Sequence, residues 1–66
     1  MTIVLNGESK EVPDALTVRE LIEFVGMGDR ACASEVNKTL VPRAKQGDLV
    51  LAEGDRVELV SLIGGG

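Results

Sequence analysis

Residues 17–25, Thr-Val-Arg-Glu-Leu-Ile-Glu-Phe-Val, restrict the fold more than any other stretch. Thr17 is a good helix N-cap, and Glu20 three residues on completes a capping-box pattern. Val18, Leu21, Ile22 and Val25 follow the i, i+3, i+4, i+7 spacing and form one apolar stripe. Gly26 and Gly28 stop the helix. A helix of about two turns cannot persist alone in water. Its stripe must therefore lie on a sheet.

The rest of the chain supplies the strands. Residues 2–5 (Thr-Ile-Val-Leu) are β-branched or apolar and read as a strand. Asn6–Gly7 is the dipeptide best suited to a type I′ hairpin turn, where both positions need positive φ. Residues 8–12 make a polar return strand, ended by Pro13. Residues 31–36 alternate weakly, with Cys32, Ser34 and Val36 on one side, and end at Asn37–Lys38. Leu40–Val41 is a short apolar piece closed by Pro42, which suits an edge position. Arg43 to Asp48 reads as a polar turn, and Leu49–Leu51 as an irregular turn packed on the core. Glu53-Gly54-Asp55 is a tight turn with positive φ expected at Gly54. Arg56 to Leu62 is the last and strongest strand. The first and last strands are the most apolar, which places them side by side and parallel at the centre. The expected fold is an α+β roll: a mixed sheet of four to five strands with one helix across one face. The domain runs over residues 1–63, followed by a glycine tail at 64–66.

With 66 residues there is room for one domain, and with one cysteine and no histidine neither an intrachain disulfide nor a conventional zinc site can form. That usage fits a reducing compartment. No apolar run approaches the roughly 20 residues of a membrane span, and no basic region precedes a hydrophobic stretch at the start. A cytoplasmic protein, away from membranes and monomeric when free, is expected. A net charge of −4 argues against nucleic acid, whose binding depends on neutralising phosphates. Phe24 is the sole aromatic residue, so there is no stacking platform for bases either. The acidic surface suits a basic partner protein or simply solubility.

The chemical inventory is short. Glu8, Glu11, Asp14, Glu20 and Glu23 fall on turns or on the solvated side of the helix, where surface charge is the ordinary reading. Cys32 lies mid-strand among small residues, with no neighbouring cation to lower its pKa, and reads as a buried, inert thiol. No phosphate loop and no metal constellation is present. A self-contained enzyme does not fit. What remains is surface and tail. If Ile3, Leu5, Val57 and Leu59 enter the core, then Val4, Val60 and Leu62 fall on or near the open face of the sheet. Apolar residues clustered there usually mark a contact site. That strand leads straight into Gly64-Gly65-Gly66, a thread without side chains that can enter a narrow site. The tail is either an idle frayed end or the working part.

The helix opening Thr17-Val18-Arg19-Glu20-Leu21, the run Glu35-Val36-Asn37 leading to Val41-Pro42-Arg43, the turn Gly54-Asp55-Arg56-Val57-Glu58 and the terminal Gly65–Gly66 resemble the thiamin-biosynthesis sulfur carrier family, ThiS. The similarity covers essentially the whole chain, and Val-Asn…Val-Pro-Arg is its most specific part. One departure is Ser34, where the family more often has an apolar residue; it is expected to loosen its strand. The resemblance implies the ubiquitin-like β-grasp fold. It also implies that a ThiF-like adenylyltransferase, related to ubiquitin-activating enzymes, activates the Gly66 carboxylate with ATP, no cofactor being bound by the carrier itself. Sulfur from a cysteine persulfide, supplied by a cysteine-desulfurase-type donor, then displaces AMP and leaves a thiocarboxylate. A ThiG-like thiazole synthase would take that sulfur. On this reading Gly66 is the reacting residue, Gly65 lets the thread pass into the partner's site, Gly64 is spacer and Val4, Val60 and Leu62 form the grip. The same chemistry could feed molybdopterin or cysteine synthesis. A protein modifier joined through Gly66, or a plain interaction domain with an idle tail, are the other readings.

Overall fold

The structure, a computed structural model, describes residues 1–62. Asn6 and Gly7 adopt φ of 49° and 85°, the left-handed pair of a type I′ turn. They fold β1 (Thr2–Leu5) back onto β2 (Glu8–Glu11) with Leu5 opposite Glu8. The helix α1 (Val18–Phe24) starts as its sequence requires. The Thr17 hydroxyl accepts the Glu20 N–H at 3.1 Å, and the Glu20 carboxylate accepts the Thr17 N–H at 2.9 Å. Gly26, at φ 84°, ends it.

Three more strands complete the sheet: β3 (Cys32–Val36), β4 (Thr39–Val41) and β5 (Arg56–Ser61). Their spatial order is β2-β1-β5-β3-β4. β5 runs parallel to β1, with Val4 opposite Arg56, and antiparallel to β3, with Ser34 opposite Leu59. The parallel central pair is the expected one, and the long crossover it demands carries the helix across one face. Ile3, Cys32, Val36, Val41, Val57 and Leu59 bury against Val18, Leu21 and Ile22 of the helix. Val12 and Leu51 complete this core, with Leu5 and Val25 packed at its margin.

Where the strands stop, amide side chains carry the pairing on. β1 ends at Leu5, and Asn6 then uses its side chain as a substitute strand. Its Oδ1 accepts the Leu59 N–H at 2.9 Å and its Nδ2 donates to the Leu59 carbonyl at 3.3 Å. Asn37 does likewise at the start of β5, accepting the Arg56 N–H at 3.0 Å. At the other end of β3, Cys32 lies two residues beyond the last β3–β4 pair, Ser34 with Val41. Gln46 Nε2 donates to the Cys32 carbonyl and to Ser34 Oγ, both at 3.0 Å.

This last contact corrects two expectations. Ser34 does not loosen its strand: it is 1% exposed, its hydroxyl donates to the Val41 carbonyl at 3.3 Å, and Gln46 donates to it. A buried hydroxyl held by two partners is no defect. Residues 43–48 are not simply a polar turn either. Arg43–Lys45 form a 3-10 turn that drives Gln46 inward to 3% exposure. The following segment serves the helix start, whose first N–H groups have no partner within the helix. Val18 N–H donates to the Leu49 carbonyl at 3.0 Å and Arg19 N–H to the Gln46 carbonyl at 2.9 Å. Only Leu51 of the Leu49–Leu51 run enters the core; Leu49 and Val50 remain exposed because their backbone, not their side chains, meets the helix end.

Candidate functional surface

No three His, Cys, Asp or Glu side chains among the described residues are grouped so as to hold a metal. The lone thiol, Cys32, is buried beneath the helix.

Strand alternation fixes the surface. Along β5, Val57 and Leu59 are buried while Arg56, Glu58 and Val60 are exposed. Because side chains alternate across a strand, the exposed set lies on the face without a helix. Val60 is 57% exposed, and Leu62, of the same parity just past the strand, 56%. Val4 shares the face from β1 and is half-buried. The register adds residues that local pattern did not reveal. Ala33 lies opposite Val60 and Glu35 opposite Glu58, while Leu40 of β4 lies opposite Glu35. Leu40 is 64% exposed. Its signal was present in the sequence as a second hairpin: Asn37 and Lys38 take φ of 51° and 70°, a type I′ pair joining β3 to β4.

The face is thus an apolar field of Val4, Ala33, Leu40, Val60 and Leu62, interrupted by Glu35 and Glu58. Two shallow depressions meet at these carboxylates. One is lined by Ala33, Leu40 and Val60, the other by Val4, Gly7, Lys38 and Arg56. At the opposite edge of the sheet the Met1 ammonium donates to Asp14 at 2.8 Å and to the Val12 carbonyl at 2.7 Å. The hydrogen bond to Asp14 raises the ammonium pKa above its ordinary value and lowers that of the Asp14 carboxyl. The remaining residues singled out in the sequence, Gly64, Gly65 and Gly66, lie outside the described residues, as does Ile63.

A mixed sheet of order β2-β1-β5-β3-β4, one helix on one face and an apolar open face on the other define a ubiquitin-like β-grasp module. The fold matches the crystal structure of the thiamine biosynthesis protein ThiS from Geobacter metallireducens with a TM-score of 0.80 at 26% identity, covering 100% of both chains. The family model described as the ThiS family matches residues 3–66. The chain belongs to the ThiS family. Among curated relatives, the sulfur carrier protein ThiS of Escherichia coli K12 is 29% identical over 66 residues, with 100% of both chains covered. A thiazole synthase of Paramagnetospirillum magneticum is 35% identical over the same 66 residues. This chain spans only 20% of that longer protein.

Proposed function

We propose that this protein carries sulfur for thiamin biosynthesis, as a thiocarboxylate formed from the α-carboxylate of Gly66. The observation that carries the reading is membership of the ThiS family across residues 3–66, which includes the glycine tail. The described surface supports it. The last strand, β5, presents Val60 on the open face, and Leu62, just past the strand on the way to that tail in sequence, is exposed as well.

A carboxylate is a poor electrophile until it carries a good leaving group. A ThiF-like adenylyltransferase would supply that group. A Gly66 carboxylate oxygen attacks the α-phosphorus of ATP, pyrophosphate leaves, and an acyl adenylate forms. The outer sulfur of a cysteine persulfide, charged by a desulfurase-type donor, then displaces AMP to give an acyl disulfide. A thiol cleaves its S–S bond, releasing the thiocarboxylate and forming a new disulfide on the donor. Thiazole synthase is the acceptor, and the likeness of this chain to part of such a synthase supports that pairing. The carrier contributes binding and delivery only. Val4, Val60 and Leu62 dock on the partner, and Gly64 and Gly65 present no side chain to obstruct entry to its site.

The test is genetic. In a host lacking its own carrier, the full chain should restore growth without thiazole or thiamin, and a chain ending at Gly65 should not. Normal thiazole synthesis by the shortened chain would refute the proposal. Restoration of molybdopterin or cysteine synthesis in place of thiazole would move the same chemistry to another pathway.

A further inference from the structure

The open face holds a feature that docking through apolar contact does not explain. Glu35 and Glu58 are Cα partners in the β3–β5 register, so their side chains stand directly opposite on the same face. Like charges in that position destabilise a sheet. Among the described residues neither carboxylate lies within an ion-pair distance of a cation. Lys38 and Arg56 are the cations on this face, and they line the depression on one side of the pair together with Val4 and Gly7. Among the described residues no cation lines the other side. There the two carboxylates border a depression walled by Leu40 and Val60 and floored by Ala33. Both walls are more than half exposed.

We infer that this depression is the seat of an arginine side chain from the activating partner enzyme. The inference rests on the docking face of the proposed function and names the chemistry that the face selects. An arginine fits on two counts. Its aliphatic stem can lie along Leu40 and Val60, which burial of apolar surface favours. Its planar guanidinium presents five donors in a fork and can meet both carboxylates at once, which a compact ammonium does less well. The cation also removes the repulsion between Glu35 and Glu58. A pair that weakens the free domain thereby strengthens the complex. The surrounding acidic surface, from a chain of net charge −4, would speed encounter with such a basic partner.

The experiment measures binding of the full chain to the adenylyltransferase in the presence of ATP, at low and at physiological ionic strength. Unfolding temperatures of the free variants are recorded alongside. For the double variant Glu35→Gln, Glu58→Gln, Kd should rise on the order of tenfold at low salt and lose most of its salt dependence. The unfolding temperature of that variant should stay level or rise. Val60→Asp should weaken binding at both ionic strengths. If the glutamine variant binds as the parent does while Val60→Asp is weakened, the arginine seat is wrong and the docking face stands. If both bind as the parent does, the docking face itself is wrong and the inference falls with it. A glutamine variant that loses binding in step with a lowered unfolding temperature would show the carboxylates to be structural, which also overturns the inference.

Discussion

Replacing Gln46 by leucine separates the work of its side chain from that of its volume. The backbone carbonyl of Gln46 keeps its bond to the Arg19 N–H, and leucine fills much the same space. What is lost is the amide that donates to the Cys32 carbonyl and to Ser34 Oγ, both at 3.0 Å. Ser34 retains its own bond to the Val41 carbonyl, so its share of the loss is small. The Cys32 carbonyl retains no side-chain donor from this segment. A buried carbonyl deprived of its partner costs about 1–3 kcal/mol. Exchanging a buried amide for an apolar group recovers part of that, so the net loss should be about 2 kcal/mol. Unfolding entropy near 60 °C is about 2.1 cal/mol/K per residue, so for a chain of 66 residues each kcal/mol lowers Tm by about 7 °C. Gln46→Leu should therefore unfold about 14 °C below the parent when followed by far-UV circular dichroism. In the double variant with Ser34→Ala the two losses should fall short of additive, because both remove the same hydrogen bond. A Gln46→Leu chain melting within about 3 °C of the parent would refute the reasoning that this amide completes β3.

Thr17→Ala should remove one half of the capping box, at a cost of about 1 kcal/mol or about 7 °C in Tm, read by the same melt. Asp14→Asn probes the ammonium pair: the folded Asp14 pKa is depressed below 3.8, so its contribution is present above that value and fades as pH falls through the lower folded pKa. The Met1 ammonium pKa is raised above 8.0, so its contribution is complete below that value and fades as pH rises through the higher folded pKa. The Tm difference between parent and variant should be flat between these limits and shrink on both sides. A difference that does not change with pH would dismiss the pair as a stabilising contact. Val60→Asp should leave Tm within about 3 °C of the parent, since the site is 57% exposed, while weakening capture by the adenylyltransferase in a pull-down with purified enzyme.

What could be read from the residues was whatever is encoded locally. The Asn6–Gly7 turn, the Thr17–Glu20 cap and the parity of β5 each depend on neighbours a few positions apart, and each stands in the structure as the sequence implies. The open-face positions of Val60 and Leu62 followed from that parity alone. The second hairpin was half hidden, because Asn37 favours positive φ and Lys38 does not. Gln46 gave no signal at all. Its burial depends on where β4 stops and which carbonyl of β3 is then left over, a fact about register rather than composition. Ser34 misled for the same reason, since a polar residue in a core position looks like a fault until its partner is known. The cross-strand meeting of Glu35 with Glu58 and the exposure of Leu40 likewise emerge only when three strands are aligned. The tail's role rests on elimination and resemblance, and chemistry rather than the described residues tests it.

The most direct test of that role is the intact mass of the full chain after incubation with the adenylyltransferase, ATP, a persulfide sulfur donor and a thiol reductant. The expected result is the mass gained when one oxygen is exchanged for sulfur, localised by fragmentation to Gly66 and absent when ATP is withheld. A mass that does not change under these conditions, with the enzyme shown to be active on another carrier, would contradict the account.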